Sequence, residues 1–175
     1  MTDNRPQRQR ASVGDMLRSV ALLLVPVLAF VGYQTLLRDE PDPLPPVDYA
    51  SAAAAARAEA PFDVLVPVAL PEGWRATSVR YTAAPMAQWH LGVLTEQDEY
   101  VGLEQITDSI DNAVATFAPG SSAAGTTMLA GSRWDVLISD GRVTLVRQAG
   151  DLTTLVTGTA PQEVLSGYVE SLRAS

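Results

Sequence analysis

The chain has 175 residues, twelve arginines and no lysine, one histidine, no cysteine and twenty acids, for a formal net charge of −8. Without cysteine there can be no disulfide framework, thiolate zinc site, thiol chemistry or lipidated cysteine anchor. The acidic balance argues against nucleic acid, whose binders need a basic footprint, and against adsorption to anionic lipid head groups.

The charge is split along the chain. Residues 1–18 carry Arg5, Arg8, Arg10 and Arg18 against Asp3 and Asp15, a net of +2, whereas residues 38–175 carry eight arginines against eighteen acids, a net of −10. Between them, residues 19–37 are uncharged and mostly apolar. As a helix they would measure roughly 28 Å, against a hydrocarbon core of ~30 Å, so the pattern predicts a single transmembrane helix. Pro26 is tolerable in such a span, and Tyr33 suits the outer interface. The apolar run continues past Val27-Leu28-Ala29 to Leu37, where a cleaved signal peptide would turn polar, which favours a retained anchor. The arginines then place residues 1–18 in the cytoplasm and everything beyond Leu37 outside the cell membrane.

Residues 38–47 read RDEPDPLPPV, a stiff proline-rich linker. Asp48 offers a helix N-cap before an alanine-rich stretch that Pro61 stops. Beyond Pro61 the period becomes alternating and predicts strands over 76–82, 88–95, 99–105, 133–139, 142–148 and 152–157. Asp140-Gly141 and Gly150-Asp151 are two-residue hairpin signals, and hairpin joins imply antiparallel pairing. A helix is expected over 109–117, with Asp108 or Ser109 as cap. Another is expected over 161–173, with Thr159 and Gln162 as capping box and Arg173 favouring the C-terminal dipole. Its stripe of Val164, Leu165, Tyr168, Val169 and Leu172 calls for burial. Residues 118–127, small and polar, read as a mobile loop. The expected fold class is α+β: a single N-terminal transmembrane helix, then an extracytoplasmic domain over 48–175. That domain would be an antiparallel sheet of about six strands with helices packed on it, in the order α-βββ-α-βββ-α.

LPEGW (70–74), SVRY (78–81), WHLG (89–92), YVGLEQ (100–105), Trp134 and TGTA (157–160) together resemble the actinobacterial membrane family named domain of unknown function 4245. The resemblance runs from the apolar segment to Leu172. It implies no established activity, so it transfers no role to any residue. The element order is also loosely similar to PsbP-like sandwiches, an analogy of fold alone.

The chemistry-bearing residues are few. His90 is the only histidine, which leaves a zinc hydrolase site short of ligands, and no G-x-S-x-G elbow accompanies it. By alternation His90 points away from Trp89, Leu91 and Val93. Among the acids Glu96, Asp98, Glu99, Glu104, Asp108 and Asp111, all but Glu104 have a turn or helix-cap explanation, and a glycosidase would need a matched pair. Residues 120–125 lack the lysine and following helix of a phosphate loop, and Glu96 to Glu99 lack the spacing of a calcium loop. Trp74, Trp89 and Trp134 read as core. No catalytic, cofactor or metal residue is therefore assigned, and no cofactor is expected. Arg80, His90 and Glu104 are the candidates for ligand contact. The expected function is a membrane-anchored, non-enzymatic binding module, held in the lipid bilayer and meeting an envelope protein, lipid or wall component. The alternative is a small envelope hydrolase or transferase using His90 or Glu104.

Overall fold

The structure, a computed structural model, describes residues 47–174 throughout and, before them, Val20, residues 23–28, Phe30 and Tyr33. The chain divides into two units, Met1–Leu44 and Pro45–Ser175. In the first, the described residues are helical and exposed. Among the described residues no helix is long and apolar enough to cross a membrane, which overturns the single spanning helix expected at 19–37. Apolar composition nominates a span, but a span also needs about twenty residues in one continuous helix. The expected tail (1–18) and nearly all of the linker (38–47) lie outside the described residues.

The second unit runs α1 (Tyr49–Arg57), β1 (Leu65–Pro67), β2 (Arg75–Thr82), β3 (Gln88–Leu94), β4 (Tyr100–Ile106), α2 (Ile110–Phe117), β5 (Ser122–Leu129), β6 (Ser132–Ser139), β7 (Arg142–Ala149), β8 (Leu152–Gly158), α3 (Gln162–Ser171) and β9 (Leu172–Ala174). Seven strands form one antiparallel sheet in the order β2-β3-β4-β8-β7-β6-β5, and β1 pairs with β9 apart from it. The unit is thus mostly β-sheet. This corrects the expected α+β class of about six strands.

The additional strand of the large sheet, β5, occupies the segment expected to be a mobile loop. Its residues are small and nearly all exposed, so no alternation marks them, and it lies at the sheet edge where one neighbour suffices. Ala130 and Gly131, both at positive φ (47° and 73°), join it to β6. Asp140 and Gly141 (44° and 77°) join β6 to β7 in the same manner, as a type I′ turn requires. β1 and β9 are three residues each, too short for a period to show.

Pairing register divides the large sheet into two faces. On the first, Trp89, Leu91 and Val93 stand opposite Gln105, Leu103 and Val101, and continue through Val156, Leu145 and Val136. All are buried, under Ala53 and Ala56 of α1 and Leu165, Tyr168 and Val169 of α3. Trp74 stacks on Tyr168 with ring centroids 6.1 Å apart. Gln105 fastens the chain before β2 to this face. The Leu65 amide donates to Gln105 Oε1 (2.7 Å), and Gln105 Nε2 donates to the Asp63 carbonyl (3.0 Å). On the second face, Ile106, Val146 and Leu155 are covered by Ile110, Ala113, Val114 and Phe117 of α2.

Ser109 caps α2 as expected, accepting from the Asn112 amide at 3.3 Å. The capping box expected at α3 is absent: Pro161 is the N-cap and makes no side-chain cap bond. Thr159 is committed to the sheet instead, its Oγ1 accepting from the Tyr100 amide and its own amide donating to the Tyr100 carbonyl, each at 3.0 Å. Arg173 and Leu172 lie in β9 rather than in the helix.

Leu165 is wholly buried, whereas Glu170 of the same helix is exposed. Leu165→Ala should cost about 2–5 kcal/mol, a large part of a domain's ~5–15, and Glu170→Ala less than about 0.5. Urea unfolding of the two variants checks this.

Candidate functional site

The site begins with an irregularity in β2. Ala76 stands opposite Val93 and Ser78 opposite Gly92, so two steps along β2 match one along β3. Residues 76 and 78 of a regular strand would share a face. The bulge at Thr77 instead leaves Ala76 buried on the first face and turns Ser78 onto the second. Thr77 Oγ1 donates to the Gly92 carbonyl at 3.2 Å.

On that second face His90 stands opposite Glu104 on one side and Arg80 on the other. Ser78 Oγ lies 2.9 Å from His90 Nε2, and His90 Nδ1 lies 2.5 Å from Glu104 Oε1. Gln88 Nε2 donates to the other carboxylate oxygen at 3.0 Å. The His90 and Glu104 side chains are only 12% and 7% exposed. A carboxylate only accepts, so His90 Nδ1 carries a proton and donates it. In the neutral ring Nε2 is then the acceptor for the Ser78 hydroxyl. The connectivity is hydroxyl to imidazole to carboxylate, the order in which a base withdraws a proton from a nucleophile.

Two glycines make the space. A Cβ on Gly92 would overlap Ser78 Oγ and stand 3.2 Å from the Tyr100 hydroxyl oxygen. A Cβ on Gly102, opposite Gly92, would meet the Tyr100 ring at 3.0 Å. Tyr100 therefore lies over both glycines, beside the Ser78 hydroxyl. None of the hydrogen bonds above uses its phenol. Burial, and then the Glu104 charge, raise the Tyr100 hydroxyl above the ordinary tyrosine range, against a smaller opposing pull from Arg142. It stays a protonated donor at neutral pH.

Of the three candidates for ligand contact, the structure joins His90 and Glu104 by a hydrogen bond and sets the exposed Arg80 beside His90. Of the other acids, Asp98 pairs with Arg75 at 2.5 Å on the surface, and Asp108 accepts from the Ser109 amide and Asn112 Nδ2 at the start of α2. A cavity of about 450 Å³ between α2 and the sheet is lined by Ile110, Val114, Leu137 and Val146, with none of the three candidates among its lining residues. Ser78, Gln88 and Tyr100 were not foreseen from the sequence. The bulge that brings Ser78 to His90 breaks the alternation that would have placed it. The available signal was Gly92 and Gly102 inside two strands, since a strand-interior glycine marks close approach.

The fold and this cluster define a β-sheet domain bearing a cross-strand hydroxyl–imidazole–carboxylate network on one face. The chain belongs to the family described as protein of unknown function DUF4245, whose model matches residues 8–172. No curated protein matches it.

Glu104→Ala would leave His90 Nδ1 and Gln88 Nε2 without their acceptor, and should cost about 1–3 kcal/mol in urea unfolding. Burial also raises the Tyr168 hydroxyl. Groups raised in this way stabilise the fold fully below the unfolded value of ~10 and lose that contribution as pH rises above it. The urea midpoint should therefore be level from about pH 7 to 9 and fall above about pH 10, less steeply in Tyr100→Phe.

Proposed function

We propose that this chain is a binding module of the cell envelope, acting outside the cytoplasm, with the second sheet face around Ser78, Arg80, His90 and Tyr100 as its contact surface. The observation that carries this reading is the cluster itself. A hydrogen-bonded polar cluster, with Glu104 buried, His90 nearly so and Ser78 half-buried, stands on a sheet face beside the part that α2 covers, next to an exposed arginine. Buried polar networks cost stability unless fully satisfied, and a domain core of this size has no need of one on its uncovered flank. The apolar stretch over residues 19–37, preceded by arginines and followed by acids, is the sequence pattern of an export signal and supports this reading.

A photo-crosslinking amino acid in place of Arg80, irradiated in intact cells, should give an adduct that fractionates with the envelope. The same residue in place of Glu163, exposed on α3, should give none. Adducts from position 163 and none from position 80 would assign recognition to the other side of the domain.

A further inference from the structure

Resting on that reading for where the ligand lies, we propose that Ser78 is a nucleophile and that the second sheet face hydrolyses carboxylic esters. Three independent features of the structure converge on its hydroxyl. The β2 bulge removes Ser78 from the core face and aims it at His90. The Glu104 carboxylate, itself held by Gln88, fixes the ring with Nδ1 as donor, so that the lone pair of Nε2 faces Ser78 Oγ at 2.9 Å. The missing side chain at Gly92 opens a space that the Ser78 and Tyr100 hydroxyls both border, Ser78 Oγ overlapping where its Cβ would stand and the Tyr100 oxygen 3.2 Å from it.

The reaction balances with water as the only co-reactant. Ser78 Oγ bonds to the ester carbonyl carbon while its proton passes to His90 Nε2. The carbonyl oxygen becomes an oxyanion and takes a hydrogen bond from the Tyr100 hydroxyl. Collapse breaks the bond to the alcohol, which leaves with the proton from His90. Water then attacks the acyl–Ser78 ester with His90 again as base, releasing the carboxylic acid and restoring the hydroxyl. A single side-chain oxyanion donor suits oxygen esters, whose alkoxide leaves readily, better than amides. Such donors are worth roughly 10²–10³-fold each. Arg80, exposed beside His90, favours esters that carry an anionic group.

The test uses the full-length folded protein and a fluorophosphonate probe, which reacts with activated serines. Intact mass and peptide mapping should find one adduct, on Ser78, formed in the native protein and not in urea. His90→Gln should slow labelling by a hundredfold or more. Tyr100→Phe should slow the hydrolysis of p-nitrophenyl acetate at least tenfold while retaining the native melting temperature. Absence of an adduct on Ser78 in the native protein would overturn the proposal without recourse to any variant, as would labelling at an unchanged rate in folded His90→Gln. Neither result bears on whether position 80 crosslinks to an envelope component, so the nucleophile can fail while the binding surface stands.

Discussion

The pairing of β4 with β8 is the contact on which the second unit depends. Every other neighbouring pair in the large sheet is consecutive in the chain and closed by a short turn, whereas this pair joins residues 101–106 to 153–158 across α2 and three strands. Closing so long a loop has an entropic cost that local hairpins avoid. The junction is correspondingly specific. Gly158 lies so close to the Tyr100 carbonyl that a Cβ would overlap it, and Thr159 bonds both the amide and the carbonyl of Tyr100. A side chain at 158 would force the two halves of the sheet apart, and with them Leu103 from Val156 and Glu104 from Leu155.

The same junction sets the site. Tyr100 is pinned by its backbone to residue 159, and only then does its ring lie back over Gly102 and Gly92 beside Ser78. The network is thus held from both ends. The β2 bulge supplies Ser78 from the edge of the sheet, and the central strand pair supplies Tyr100 and Glu104. Side chains carried by adjacent strands differ in position by a fixed spacing of ~5 Å, which a hydroxyl, a ring and a carboxylate can bridge without strain.

Much of this architecture was legible where physical periodicity is strong. Six strands of the large sheet lie within a residue or two of the alternating runs, because each has one face that must be dry. His90 falls on the face opposite Trp89 and Leu91 for the same reason. Legibility failed where burial is weak or irregular. β5 buries little beyond Leu129, and so left no period to read. Thr159 and Gln162 have the spacing of a capping box, but the sheet claims Thr159 first. Ser78 was hidden by the bulge, since a single extra residue reverses every expected direction beyond it. The apolar segment 19–37 shows the opposite error, since apolar composition alone does not establish a spanning helix, and none is found among the described residues.

Glu104 and Gln105 show how one strand separates structure from chemistry. They are neighbours, both buried, and point to opposite faces. Gln105 spends its oxygen on the Leu65 amide and its nitrogen on the Asp63 carbonyl, two backbone groups of the segment before β2. Its bonds end there, in a closed account of donors and acceptors. Glu104 also fills both oxygens, with Gln88 and His90, but the chain of bonds continues through the ring to the Ser78 hydroxyl. That hydroxyl is half-buried rather than sealed, and beside it stands a second hydroxyl, on Tyr100, that burial keeps protonated. A purely structural network would gain stability by closing on a backbone group, as Gln105 does. One that ends on a polarised hydroxyl at the surface of a sheet gives up that closure, and what it retains is an oxygen from which a proton can be taken.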